Sequence, residues 1–311
     1  MVFGECMKCS FCKKESIYFR INEGHHYCKN HFLKNIEKRV KKTIRINNLI
    51  ENGDKIAVAV SGGKDSANVL FLLKRIFENN PKIELFAITL NEGIKGYRDK
   101  SVKKSEILCK KLGVKQYIFS FKKEFGFTID ELSKKIKSGY CGSCGLLRRY
   151  LLNKKARELG ATKLATGHNL DDECQSILMN ILKGDLLRLA RAGPMPQIVK
   201  HQKFVTRIKP LIMIPENESI LYGEINKILS YPKKCSYSVD NPLRGETRKF
   251  LNKLEETSPG IKYSLYKSAL KIKPFITTRF KEGSIGACKN CREPSSQIIC
   301  KVCQLLNKLS S

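Results

Sequence analysis

From residue 55 to residue 182 the chain alternates short apolar runs with longer amphipathic stretches. Lys55 to Val60 reads KIAVAV behind Gly53-Asp54, which predicts a short β-rich strand. Ile83 to Leu90 (IELFAITL), Gln116 to Phe121 (QYIFSF) and Lys163 to Thr166 (KLAT) predict three more. Helical spacing of apolar residues marks Ala67 to Glu78, Ser101 to Leu112, Leu146 to Leu159 and Cys174 to Leu182. Strands alternating with helices predict an α/β fold with a doubly wound, Rossmann-like parallel sheet, whose ligands bind at the carboxyl ends of the strands. Ser61–Ser66, Asn91 and Gly167–Asp172 should therefore surround one cleft. The apolar runs are too short to cross a bilayer and the N-terminus has no apolar h-region. A cytoplasmic protein without membrane association is expected.

Directly after the first strand comes Ser61-Gly62-Gly63-Lys64-Asp65-Ser66. Strand, glycine turn and helix make an anion site, because glycines admit backbone N–H groups close to the anion and the helix N-terminus adds partial positive charge. The GxxxxGK[ST] loop is absent, since Asp65 stands where that motif needs Ser or Thr. SGGxDS after a hydrophobic strand is the motif of the PP-loop ATP pyrophosphatases, which split ATP between its α- and β-phosphates. After KLAT comes Gly167-His168-Asn169-Leu170-Asp171-Asp172-Glu173. Gly167 permits close approach to a nucleotide. The carboxylates would hold Mg²⁺ or assist the reacting base; the structural alternative for Asp171 and Asp172 is capping of the next helix. His168 fits a packed turn as well as a site.

Charge and cysteine content then narrow the partners. The 311 residues carry 59 Lys/Arg against 29 Asp/Glu, a net charge of +30. The first fifty residues are net +7 and residues 260–311 net +8, about twice the density of the middle. Such an excess points to a polyanion, nucleic acid above all. Length suggests about two domains. With 41% apolar residues the chain is globular.

Ten of thirteen cysteines fall into groups with ligand spacing. Cys9-x2-Cys12 and Cys28-x2-His31 would supply four ligands to one zinc, closing a segment too small to fold on apolar burial alone. Cys6 forms a competing CxxC with Cys9. Cys288-x2-Cys291 and Cys300-x2-Cys303 form a four-thiolate ribbon. Cys141-x2-Cys144 lacks a second pair, and Cys235 follows ninety residues later. Three thiolates fit a zinc with one open position, a 4Fe–4S cluster with one iron lacking a protein ligand, or a redox CxxC. Cys109 and Cys174 read as core thiols.

Taken together, these residues resemble the tRNA 2-thiouridine synthetases of the TtcA/TtuA superfamily, in its archaeal NcsA and TtuA type. SGGKDS, CGSCG, TGHNLDDE, Cys235 and the two terminal metal motifs carry the resemblance over nearly the whole chain. It implies an N-terminal zinc finger over 1–35, a PP-loop catalytic domain over 36–283 with a helical C-terminal part, and a zinc ribbon over 284–311. It implies a 4Fe–4S cluster on Cys141, Cys144 and Cys235, whose fourth iron binds sulfur, and two Zn²⁺ on the terminal sets. The nucleotide contacts would be Ala59, Ser61, Gly62, Gly63, Asp65, Ser66, Leu90, Gly167 and Asp172, with Lys64, Asp65, Asp172 and Arg148 catalytic. The family's lysine four residues after the second cluster cysteine is replaced by Arg148, which does not readily lose a proton. The implied reaction is attack of uridine O2 on the α-phosphate of Mg²⁺-bound ATP, then replacement of that oxygen by sulfur. The implied partners are tRNA, a sulfur donor (free sulfide or a ubiquitin-like thiocarboxylate protein) and a second copy of the chain. The wobble uridine is the expected target and the T-loop uridine the alternative. A PP-loop amidating ligase would need no sulfur carrier, and a purely RNA-binding zinc protein would need no ATP loop.

Overall fold

The structure, a computed structural model, describes residues 7–136, 139–196, 201–233, 235–237, 242–278 and 285–310. Cys6 and the expected junction at 283/284 lie outside the described residues. A small antiparallel hairpin, β1 (Tyr18–Arg20) and β2 (His25–Tyr27), precedes the long helix α1 (Lys29–Ile46). The alternating unit follows as β3 (Lys55–Ala59), α2 (Lys64–Phe77), β4 (Glu84–Asn91), α3 (Arg98–Lys111) and β5 (Gln116–Ser120). Three helices come next, α4 (Phe121–Phe125), α5 (Ile129–Lys135) and α6 (Tyr140–Glu158), before β6 (Lys163–Ala165). Then come α7 (Leu170–Leu182), α8 (Leu186–Leu189), β7 (Thr206–Ile208) and α9 (Glu216–Ile225). The chain closes with α10 (Pro242–Thr257), α11 (Ile261–Thr277), the strands β8 (Gly286–Ala287) and β9 (Pro294–Ser295), and α12 (Lys301–Ser310).

The central sheet has the order β5-β4-β3-β6-β7, and every pairing in it is parallel. This is the doubly wound sheet expected from the sequence, with a fifth strand, Thr206–Ile208, that the pattern did not predict. Strand order reverses between β3 and β6, so the crevice opens where the loops after these two strands meet. Ile56 and Val58 of β3 join one core with Phe32, Ile36 and Val40 of α1 and Leu70 and Leu73 of α2. Ala57 joins the opposite core with Leu147 and Leu151 of α6 and Val302 of α12. A third cluster, from Cys174 and Ile177 of α7 to Leu251, Tyr266 and Ala269, builds a helical flank. Cys109 and Cys174 are core thiols, and burial raises both pKa values.

The hairpin is tied to the sheet layer by a buried charge cluster. Arg20, 2% exposed, donates from Nε to Glu218 Oε1 at 2.7 Å, and Arg39 of α1 donates from Nη1 to Glu218 Oε2 at 2.7 Å. Removing one partner of such a cluster leaves uncompensated buried charge. Glu218→Ala is therefore expected to destabilise the fold by about 3 kcal/mol, seen as a lower midpoint in chemical denaturation. An unchanged midpoint would show that water reaches the two guanidiniums.

Candidate active site

The loop between β3 and α2 lies at the bottom of a cleft of about 1030 Å³. Gly63 is the N-cap of α2, leaving the first N–H groups of the helix turned to the cleft. Gly62 has φ +83°, and a Cβ there would sit 2.2 Å from Ser101 O. A Cβ on Gly167 would sit 2.7 Å from Ser66 N, so the loops after β3 and β6 touch through that glycine. Ser66 Oγ accepts from Ser61 N at 3.1 Å and donates to Gly63 O at 2.8 Å, which fixes the turn. Ala59 and Leu90 stand at the ends of β3 and β4 and line the same cleft as Ser61, Gly63, Asp65 and Ser66. Gly62 is set back against Ser101.

Lys64 Nζ lies 2.7 Å from Asp65 Oδ2 and 2.9 Å from Glu216 Oε1. Burial disfavours its charge, but the two carboxylates outweigh that and raise its pKa. Ser219 Oγ donates to Asp65 Oδ1 at 2.7 Å, and Arg248 pairs with Glu216. Glu216, Ser219 and Arg248 come from α9 and α10, far along the chain, and no sequence pattern marks them.

The acidic run after β6 divides into separate roles. Asn169, not an aspartate, caps α7, its Oδ1 accepting from Asp172 N at 2.9 Å. Asp171 pairs with Lys262 and accepts from Glu216 N at 2.7 Å. Glu173 pairs with Lys209 at 2.7 Å and accepts from Gly193 N at 2.7 Å. The functional expectation for Asp171 is thus corrected: its carboxylate is committed to holding α11 and α9 in place. Asp172 alone of the three keeps a carboxylate free to act in the cleft, with Arg244 3.7 Å away. Burial, with Asp65 and Glu216 nearby, raises its pKa. His168 bonds Thr166 Oγ1 at 2.9 Å; its ring is open to the cleft, and desolvation there, with Lys209, Arg207, Arg244 and Arg148 around it, lowers its pKa.

A raised carboxyl pKa favours the protonated folded state, so the ionised Asp172 costs stability once pH exceeds the unfolded value near 4. Asp172→Asn is expected to melt above the parent at pH 7, with the gap closing below about pH 4. Activity should fall in the same variant. A lower melting midpoint at pH 7 would contradict the charge balance described here.

Cys141 and Cys144 occupy the first turns of α6, which begins six residues before the helix expected from sequence. Cys235 comes from the segment after α9 and lines the cleft. That segment is held by Tyr231 N donating to Gly62 O at 2.7 Å and by Tyr237 Oη donating to Asp130 Oδ1 at 2.8 Å. The three sulfurs are near enough to influence one another's charge, and burial pushes Cys144 up to about 12. They do not form a set within 4.8 Å of one another, as the terminal quartets do. That wider spacing suits a cubane cluster, whose thiolates bind different irons, better than one tetrahedral ion. Arg148, one turn beyond Cys144, faces the cleft with Nη1 3.8 Å from Glu92 Oε1. Desolvation works against its charge, but Glu92 and the two cysteines outweigh that and raise its pKa, so the half-exposed Arg148 stays charged. Glu92 itself is buried against Arg98 Nε at 2.5 Å. Arg98 also donates to Ser61 O at 2.7 Å and to Leu90 O, joining the nucleotide loop to the end of β4.

Cys9, Cys12, Cys28 and His31 bring their ligand atoms within 4.8 Å of one another, and Cys288, Cys291, Cys300 and Cys303 do the same. The sulfurs of Cys12 and Cys28 are 3.7 Å apart, as are those of Cys291 and Cys300. A zinc tetrahedron with Zn–S bonds of 2.3 Å has edges of ~3.8 Å. Burial opposes charge on Cys9 and Cys288, but backbone N–H groups lower both to about 6. Both quartets fit zinc.

Residues 30–231 match the model of the PP-loop domain family. The chain belongs to the PP-loop family and, within it, to the sulfurtransferases of the NcsA and TtuA type. It is 39% identical to a probable sulfurtransferase of Methanocaldococcus jannaschii, over 98% of this chain and 89% of that one. It is 37% identical to the tRNA-5-methyluridine(54) 2-sulfurtransferase of Pyrococcus horikoshii, over 96% and 93%. Among solved structures it is similar to the U34-tRNA thiolase NcsA of Methanococcus maripaludis with its [4Fe-4S] cluster, at 36% identity and TM-score 0.86, covering 97% of this chain and 96% of that one. No described helix is long and apolar enough to cross a membrane.

Proposed function

We propose that this chain is an ATP-dependent tRNA 2-sulfurtransferase that replaces O2 of the wobble uridine with sulfur. The observation that carries the reading is one cleft lined by an anion-binding glycine loop, Asp172, Arg148 and Cys235, with the Cys141 and Cys144 sulfurs near enough to Cys235 to affect its charge. Uridine O2 attacks the α-phosphorus, the O–P bond forms, the bond to the bridging oxygen breaks, and pyrophosphate leaves with the electron pair. Lys64 and the N–H groups at the start of α2 stabilise the charge that develops on phosphate. Asp65 and Glu216 hold Lys64 until the triphosphate replaces them, and Mg²⁺ accompanies the nucleotide. Asp172, with its raised pKa, takes the proton that the uridine ring loses on activation. A 4Fe–4S cluster on Cys141, Cys144 and Cys235 would supply the sulfur from the iron without a protein ligand. Arg148 offsets negative charge beside it. Sulfur bonds to C2, the C2–O bond breaks, and AMP leaves with the former O2 and the electron pair of that bond.

Residues 1–35 and 284–311 act as zinc modules on either side of the catalytic domain and add basic surface for the tRNA body. Anaerobically prepared protein should hold about four irons and about two zincs per chain. The wobble assignment takes its support from the similarity to the U34 thiolase NcsA; the similarity to the methyluridine-54 enzyme, over as much of the chain, makes the T-loop uridine the alternative. Fragment mapping of a reacted transcript tests the assignment. The thiolated fragment is expected to contain position 34; thiolation confined to the T-loop fragment would overturn the wobble reading and leave the chemistry standing.

A further inference from the structure

Several cations in and beside the cleft are engaged by carboxylates. Lys64 and Arg248 hold Glu216, Arg98 holds Glu92, Lys209 holds Glu173, and Arg244 lies beside Asp172. Among the described residues Lys227, Lys233 and three arginines of the cleft lining have no carboxylate partner, and the arginines carry the fork that phosphate fits. Arg149 on α6, Arg191 just after α8 and Arg207 on β7 come from separate elements and line the same cleft. Their charges act on one another across the cleft. Desolvation and then Arg149 and Arg191 lower the pKa of the half-buried Arg207, and that of Arg149, though its side chain is exposed, is lowered by desolvation with Arg148, Arg188 and Arg191 among the further causes. Arg149 and Arg191 are exposed and Arg207 half-buried, so all three are open to an anion entering the cleft.

The position of the group separates it from the nucleotide. Ala59 and Leu90, the strand-end nucleotide contacts, lie on β3 and β4. Arg207 lies on the edge strand β7, two strands from β3 in the opposite direction, or roughly 10 Å at the usual strand spacing. His168, whose neighbours include Arg207 and Arg148, stands between the two walls. With a chain of net charge +30, a nucleic-acid backbone is the anion best suited to this second wall.

We infer that Arg149, Arg191 and Arg207 form a seat for an RNA phosphodiester flanking the target nucleotide. The seat holds the backbone while the base turns into the cleft. This rests on the sulfurtransferase reading above. The planar guanidinium fork matches phosphate geometry, and contacts to phosphate position a nucleic acid without reading its sequence.

The test compares the full chain with Arg149→Gln/Arg191→Gln/Arg207→Gln and with Arg207→Gln alone. Titrations of tRNA across a range of KCl concentrations, and of ATP with Mg²⁺, give both affinities. The triple variant should bind tRNA about ten-fold more weakly or worse, with the slope of log affinity against log salt shallower by about one. ATP affinity should not change. The melting temperature of the free protein should hold or rise, because like charges have been removed, a response that a merely structural role would not give. Arg207→Lys should retain the salt slope. An unchanged slope and tRNA affinity in the triple variant would overturn the seat. So would a parallel loss of ATP affinity, which would make it a triphosphate site, or a lowered melting temperature in both glutamine variants. Thiolation by the parent protein is scored separately. An active parent with an unchanged slope in the variant removes the seat alone; an inactive parent with a changed slope removes the sulfurtransferase reading alone.

Discussion

Cys235→Ala is expected to bind tRNA like the parent and to lose thiolation. The segment around Cys235 is anchored by its neighbours, Tyr231 through its N–H to Gly62 O and Tyr237 through its hydroxyl to Asp130. Tyr237 also packs edge-on against Tyr140 at 5.1 Å. Removing a half-exposed sulfur leaves these contacts in place, so the fold and the basic surface should survive. The cluster would then have two thiolates, both from one turn of α6. Changes outside the ligand shell of metal sites already cost 10–100-fold, so loss of a ligand should lower thiolation by more than about 100-fold. The brown colour of anaerobic protein should fade with it. Nucleoside analysis and iron content read the two effects together. Retained thiolation in Cys235→Ala would instead mean that Cys141 and Cys144 pass sulfur as a CxxC persulfide relay.

Gly62→Ala is expected to abolish the nucleotide site, while Gly63→Ala leaves it largely intact. The two glycines are adjacent in one motif, but their surroundings differ. Gly62 is in the left-handed region, where a Cβ costs about 1–2 kcal/mol, and that Cβ would fall 2.2 Å from a backbone oxygen of buried Ser101. Neither backbone can yield cheaply, because Gly62 O also accepts from Tyr231 N and Arg98 ties Ser61 to Leu90. Gly63 has φ −82°, and the nearest atom to its Cβ would be Ser61 Oγ at 3.5 Å, an ordinary contact. ATP affinity should fall by about 100-fold or more in Gly62→Ala, the equivalent of ~2.7 kcal/mol of misplaced N–H donors. In Gly63→Ala it should change by less than about three-fold, or ~0.7 kcal/mol. Equal losses in the two variants would show that the loop needs glycine for access to phosphate and not for its path around Ser101.

The parts of the site that can be read from sequence are the contiguous ones. SGGKDS behind a valine-rich strand, two zinc-spaced quartets and a CxxC each carry their chemistry within a few residues, and short-range backbone geometry places them. The strand Thr206–Ile208 escaped notice because three residues of mixed polarity show no period. The start of α6 escaped because Gly142, Gly145 and the two cysteines dilute its apolar repeat. The division of labour between Asp171 and Asp172 depends on Lys262 and on the N–H of Glu216, which only the folded chain brings there. The same holds for Glu216 and Arg248 on Lys64, for Arg98 behind the loop, and for the unpaired arginines on three elements. Side chains that act by charge at long sequence separation leave no local pattern.

The central claim is that one cleft couples ATP cleavage to sulfur insertion on tRNA. Nucleoside mass spectrometry tests it most directly. An unmodified tRNA transcript is incubated with ATP, Mg²⁺, sulfide and anaerobically reconstituted protein, then digested. The expected result is 2-thiouridine, formed together with AMP and pyrophosphate and absent when ATP is omitted. No 2-thiouridine, with the cluster loaded, the tRNA bound and a protein thiocarboxylate also tried as donor, would contradict the claim and turn attention to amide-forming chemistry.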